Sequence, residues 1–188
     1  MMQVKKEEIA DSILLQAENE FFVRGYAQSS LRTIARKTNI SLSNIYSYYP
    51  KKRDILSELL DDFAEQVLET ISQHSENPPV SPQSIIERVE SLEQYFDESH
   101  LSLLIDKRTI ILFDLDPHEY HLRDSIYLSL LSHLDCHMQL NNQKYSIIIL
   151  EMLIECLRQS LSQFDSYSQV KKSFLDVFFI FCTGLKKI

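Results

Sequence analysis

The sequence predicts an all-α fold of about nine helices. Two observations carry that prediction. Only two glycines (Gly25 and Gly184) and five prolines occur in 188 residues, too few turn formers for a sandwich or barrel. Apolar residues also fall on stripes at a spacing of four, the mark of one helix face. At 44% hydrophobic and 24% charged, the composition is that of a globular chain able to bury a core.

The first helix is expected over about 5–24, with Ile9, Ile13, Ala17 and Phe21 on one stripe. Gly25 follows as its cap. Ser29 or Ser30 can start a short second helix, "LRTIARKT", with Leu31, Ile34 and Ala35 turned inward. Asn39 tolerates the left-handed backbone of the turn that follows. A third helix over about 42–48 is capped by Ser41 and offers little to a core besides Ile45 and Tyr49. Pro50 suits the entry to a fourth helix, on which Ile55, Leu59, Phe63, Val67 and Ile71 share a face. "SENPPVSP", residues 75–82, breaks the chain. Five more helices are expected at roughly 83–97, 100–114, 119–138, 143–163 and 168–186. Asp116-Pro117 precedes the third of these, and Asn141-Asn142 separates the next pair.

Several function classes find no support. "MMQVKKEEIADSILL" lacks the apolar run of a secretory signal, and no apolar stretch is long enough to span a bilayer. Cys136, Cys156 and Cys182 are odd in number and widely spaced, so reduced thiols in a cytoplasmic protein are expected. His133 and His137, with Cys136 nearby, and His118 with His121 are helix-face pairs that zinc would accept. Neither has a third ligand at a compelling spacing, so no metal is expected. No catalytic Ser/His/Asp or Cys/His set and no phosphate-cradling glycine loop occurs, so neither a cofactor nor an enzyme is expected. Glu18 and Glu20 read as helix surface.

Charge is uneven. Residues 1–60 hold nine basic and seven acidic residues, whereas 61–188 hold ten and twenty. From Phe21 to Arg53 there are seven basic residues and no acid. An acid-free basic window in a chain of net charge −8 points to a local anionic partner.

"SLSNIYSYYPKK", residues 41–52, says what that partner is. Two short helices joined by a tight turn, the second presenting polar groups, make a helix-turn-helix. Its second helix fits the major groove of double-stranded DNA. Ser43 can bond either kind of base edge and Asn44 can bond adenine. Tyr46 and Tyr48 can give hydroxyls to phosphates. Lys51 and Lys52 sit at a helix start, where the backbone already favours a phosphate.

These residues resemble the N-terminal domain of the TetR/AcrR family of transcriptional regulators. The resemblance runs over about residues 9–60, through Phe22, Gly25-Tyr26, Ser29-Ser30, Ile34-Ala35, Asn39-Ile40-Ser41, Ile45-Tyr46, Tyr49 and Lys52. Thr38-Asn39 stands where the family has Ala-Gly, and Tyr48-Tyr49 where it often has His-Phe. Leu42 occupies a frequent polar base-reading position, where it can either meet a thymine methyl or pack within the domain. DNA contact is assigned to Ser29, Ser30, Arg32, Thr33, Ser41, Leu42, Ser43, Asn44, Tyr46, Ser47, Tyr48, Lys51 and Lys52.

The resemblance implies the remaining organisation: a helix-turn-helix domain over 1–50, a connecting helix over 51–74 and a regulatory, dimerising domain over 75–188. It implies a small-molecule effector, with Tyr95, Phe96, Leu103, Ile110, Phe113, Tyr120 and Tyr127 as candidate pocket residues. It also implies a homodimer. The last two helices are apolar over more than one face, which requires burial on both sides; Ile148, Met152, Glu155, Phe174, Phe178 and Phe181 are the candidate interface. The expected function is a ligand-responsive repressor that binds a palindromic operator. The alternatives are a DNA-bound protein acting through a protein partner, and a helical-bundle metal protein or enzyme.

Overall fold

A computed structural model of the chain describes residues 2–75, 101–138 and 143–185. Among these residues all regular structure is helical, as the composition predicts. The helices are α1 (Met2–Arg24), α2 (Leu31–Thr38), α3 (Leu42–Tyr48), α4 (Lys52–Ser75), α5 (Lys107–Asp114), α6 (Arg123–Met138), α7 (Gln143–Gln163) and α8 (Tyr167–Leu185). A 3-10 turn covers Leu101–Leu104. The helix expected over 83–97 lies outside the described residues, as do Tyr95, Phe96 and the Asn141-Asn142 separator.

The local signals act where the sequence puts them. Gly25 has φ 76° and its N–H donates to the Phe21 carbonyl at 2.8 Å, closing α1. A side chain at that φ would press Cβ against the backbone, which glycine avoids. Asn39 closes α2 in the left-handed region, with φ 56° and ψ 35°. Ser30 caps α2 by accepting the Arg32 N–H, and Ser41 caps α3 by accepting the Asn44 N–H. One boundary moves. The helix expected from 119 begins at Arg123. Ahead of it, the Glu119 N–H donates to the Asp116 carbonyl, and the Asp116 N–H donates to the Glu119 carboxylate. That reciprocal pair satisfies the backbone as a turn and leaves nothing to drive a helix there.

The chain packs as two units: Met1–Glu65 with Lys107–Tyr120, and Gln66–Asp106 with His121–Ile188. In the first, Ile13, Ala17 and Phe21 of α1 are fully buried, together with Ile34, Ile45, Ile55, Leu60 and Ala64. Phe21 meets Tyr26 edge-on, with ring centroids 5.3 Å apart. The helix α5 also belongs here, and no marker in the sequence pairs it with α1. Its Lys107 ammonium donates to Asn19 Oδ1 at 2.7 Å, and the Arg108 guanidinium lies 4.5 Å over the Phe63 ring of α4. Tyr120, also buried, donates its hydroxyl to Asp61 at 2.9 Å.

Glu20 corrects the sequence reading. It is not helix surface but 1% exposed, held by Lys37 at 2.9 Å and by Arg24 at 3.3 Å. A carboxylate is stable out of water only when it is paired, and its partners here come from α2 and from the end of its own helix.

In the second unit, Ile149, Leu150, Ile154 and Leu157 of α7 are buried, as are Val170, Phe174 and Leu175 of α8. The hydroxyls of Ser160 and Ser173 meet at 2.9 Å between these two helices. Tyr127 of α6 donates its hydroxyl to Glu151 of α7 at 2.8 Å.

Raised phenols make stability depend on alkaline pH, Tyr26 and Tyr120 among them. Burial, with Glu58 and Asp11 nearby, pushes Tyr49 up to about 12, and burial with the Glu151 hydrogen bond pushes Tyr127 up to about 12. A phenol whose folded value is raised contributes stability that is fully present below its unfolded value, near 10. That contribution is lost as pH rises from there through the folded value, because the unfolded chain ionises first. Chemical denaturation should therefore give a stability that is level up to about pH 9 and falls beyond about pH 10. Tyr49→Phe should make the fall shallower.

Among the described residues no helix is long and apolar enough to cross a membrane. No group of three His, Cys, Asp or Glu among them is arranged to hold a metal ion.

Candidate nucleic-acid interface

The helix α3 spans seven residues, too few to be stable alone. Three features hold it. Ile45 is its single buried residue, Ser41 caps its start, and the buried Tyr49 closes its end by donating its N–H to the Ile45 carbonyl. With one side so anchored, the others are presented outward. Ser43, Asn44, Tyr46 and Ser47 are exposed, Leu42 and Tyr48 half-buried. Tyr46, at 47% exposed, is not wedged between helices, so its hydroxyl is available to a ligand.

The polar surface of α3 is partly preorganised. The Ser47 hydroxyl lies 2.7 Å from the Asn44 carbonyl and 3.2 Å from Asn44 Oδ1, so its one proton is shared between them. That contact orients the Asn44 amide and leaves both its amino hydrogens to donate. Ser41 and Ser43 hydroxyls lie 3.2 Å apart. An oriented amide is what bidentate recognition of adenine needs, one acceptor and one donor side by side.

Around α3 the assigned residues divide by what they touch. Arg32 and Lys51 are exposed, and Thr33 is half-buried. Ser30 spends its side-chain oxygen on the cap of α2. Ser29 is buried and donates its hydroxyl to the Tyr26 carbonyl at 2.6 Å. Lys52 is turned inward: its ammonium donates to the Tyr26 carbonyl at 2.6 Å and the Ser29 carbonyl at 3.3 Å. Asp54 reaches back to accept the Lys51 N–H at 2.8 Å, so the start of α4 carries its own carboxylate. The Lys6 ammonium lies 6.0 Å over the Tyr48 ring, which brings the start of α1 to the end of α3. Nothing in the spacing of the sequence signals that contact.

The electrostatic reading of the basic window also sharpens. Arg24 and Lys37 share the one carboxylate of Glu20, which leaves a net positive charge there, and Lys52 faces its own loop. Arg32, Arg36, Lys51 and Arg53 are exposed, and so are Arg24 and Lys37 despite their pairing.

The candidate regulatory residues are scattered. In the second unit a groove of about 620 Å³ is lined by Gln66, Glu69, Thr70 and Gln73 of α4, by Ser102, Leu103, Ile105 and Asp106, and by Tyr167. Of the candidate pocket residues, Leu103 lines it. Ile110, Phe113 and Tyr120 belong to the first unit, and Tyr127 is engaged with Glu151. Of the candidate interface residues, Ile148 and Met152 are 47% and 45% exposed and Glu155 is exposed, whereas Phe174 is buried within its own unit. The side chains of Phe178 and Phe181 lie outside the described residues.

Comparison with known proteins bears on this geometry. A family model described as bacterial regulatory proteins, tetR family, matches residues 13–59, which span α2 and α3 and parts of α1 and α4. A Bacillus subtilis (strain 168) protein, the uncharacterized HTH-type transcriptional regulator YdgC, is 27% identical over 161 residues, covering 83% of this chain and 78% of that protein. Among solved structures, a transcriptional regulator (TerR/AcrR family) from Aquifex aeolicus VF5 aligns over 92% of this chain and 99% of that one, at 17% identity and a TM-score of 0.47. The transcriptional regulator FadR from Bacillus subtilis, solved in complex with stearoyl-CoA, aligns over 88% and 95%, at 20% identity and a TM-score of 0.43.

Proposed function

We propose that this chain, which belongs to the TetR family of DNA-binding transcriptional regulators, is a ligand-responsive repressor that reads a palindromic operator as a homodimer in the cytoplasm. The observation that carries the reading is α3: a short helix anchored by one buried isoleucine, with Ser43, Asn44, Tyr46 and Ser47 exposed inside an acid-free stretch. Base edges go to Ser43 and Asn44, with Leu42 against a thymine methyl. Phosphates go to Tyr46, Tyr48, Arg32 and Lys51.

Dimerisation accounts for the exposed apolar face of α7, where Tyr145, Ile148 and Met152 lie on one stripe, and for Val177 and Ile180 on α8. Two copies related by a two-fold axis would set their α3 helices about 34–36 Å apart, one turn of DNA. An effector that favours a dimer with another spacing would release the operator by shifting populations. The groove on the second half of α4 is a candidate effector site, and its two carboxylates, Glu69 and Asp106, favour a polar or cationic molecule over an anion.

Selection of tight duplexes from a random DNA pool, at fixed salt, tests the function. Enrichment of an inverted repeat supports a dimeric reader, and recovery of sequences with no common motif would argue against sequence-specific repression. The dimer has its own test. Ile148→Asp combined with Met152→Lys should leave helicity intact, since both positions are exposed, while sedimentation shows a monomer that no longer holds the inverted repeat.

A further inference from the structure

The ammonium of Lys52 is tied into its own domain from two directions. It donates to the Tyr26 carbonyl at 2.6 Å and to the Ser29 carbonyl at 3.3 Å, and it lies 4.2 Å from the centre of the Tyr26 ring. Those two carbonyls belong to one turn. The Ser29 N–H and hydroxyl both donate back to the Tyr26 carbonyl, at 3.2 and 2.6 Å. The Tyr26 ring is itself fixed edge-on against buried Phe21. Ser30, the next residue, caps α2. So one side chain from the first turn of α4 grips the turn from which α2 sets out.

We infer that Lys52 is a positioning residue that holds the 26–29 turn and thereby the start of α2, and that the phosphate contact at the start of α4 belongs to the exposed Lys51. The inference rests on the DNA-binding reading above. A Lys52 that reached for phosphate would surrender two charge-assisted hydrogen bonds and a cation–π contact. Burial also lowers the Lys52 pKa, consistent with a cation facing protein rather than solvent. Lys51 bears no such constraint: its backbone N–H is held by Asp54, while its side chain is exposed.

The full-length protein and its Lys51→Met, Lys52→Met and Lys52→Arg variants decide the matter. Each is titrated with a mixed-sequence duplex over a range of salt, and amide exchange is followed in the free protein. Lys51→Met should flatten the salt dependence by about 0.9 per lost phosphate contact and leave exchange unchanged. Lys52→Met should keep the wild-type salt dependence, lower affinity at every salt, and speed exchange of the Ser29 to Thr33 amides. Lys52→Arg, which can donate to both carbonyls, should restore much of that protection. A Lys52→Met protein with normal exchange and a flattened salt dependence would overturn the inference. If the wild type binds no duplex, the DNA-binding reading fails on its own account. The exchange of Lys52→Met then still judges the positioning role, which an unchanged pattern would refute.

Discussion

Ile45→Ala is expected to abolish DNA binding without changing one exposed atom of the interface. Ile45 is 0% exposed and is the single buried residue of α3. Truncating a buried isoleucine costs about 2–5 kcal/mol, a large share of the roughly 5–15 kcal/mol that holds a whole domain folded. A seven-residue helix has no stability of its own to offset that loss. The cap at Ser41 and the closing bond at Tyr49 orient α3 only while it sits on the domain. Amide exchange should therefore show α3 unprotected first, with the second unit unaffected. Duplex titration should find binding lost for every sequence alike. Retained affinity with α3 still protected would mean that α2 and Tyr49 hold the helix without its isoleucine.

Asn44→Ala should have the opposite signature, an intact fold with altered reading. Asn44 is exposed and its amide is steered by the Ser47 hydroxyl, so its removal should change stability by no more than about 0.5 kcal/mol. A bidentate contact to a base is worth about 1–3 kcal/mol of discrimination, or roughly 5- to 150-fold in affinity at one position of each half-site. Titration of the selected duplex and its single-base variants should show tolerance gained at that position and preferences kept elsewhere. An equal loss across all variants would instead assign Asn44 to the backbone. Ser47→Ala should reproduce a fraction of the effect, because the amide stays but is no longer oriented.

The sequence by itself determined the features whose causes lie within one or two helical turns. Gly25 and Asn39 take left-handed backbone because few other residues can, and Ser30 and Ser41 cap because a hydroxyl beside a free N–H needs no distant partner. The stripe of Ile13, Ala17 and Phe21 and the lone Ile45 of α3 follow from helical periodicity, and with them the helix-turn-helix and the exposed face that would read bases. On α4 the same periodicity was less discriminating. Leu59, assigned to the buried stripe, is half-buried, while Leu56 and Leu60 are fully enclosed, since packing covers a wider arc than one row.

Only the tertiary structure decided the fate of the charges. Glu20 reads as surface until Lys37, 17 residues away, is folded against it. Lys52 reads as a phosphate ligand until carbonyls 23 and 26 residues distant close around it. Lys107 carries α5 onto α1 through Asn19, 88 residues earlier. Backbone conformation answers to near neighbours and is legible along the chain. The side a charged group faces depends on which distant polar atoms the fold brings within hydrogen-bond reach, because burial is tolerable only where such partners offset the loss of water.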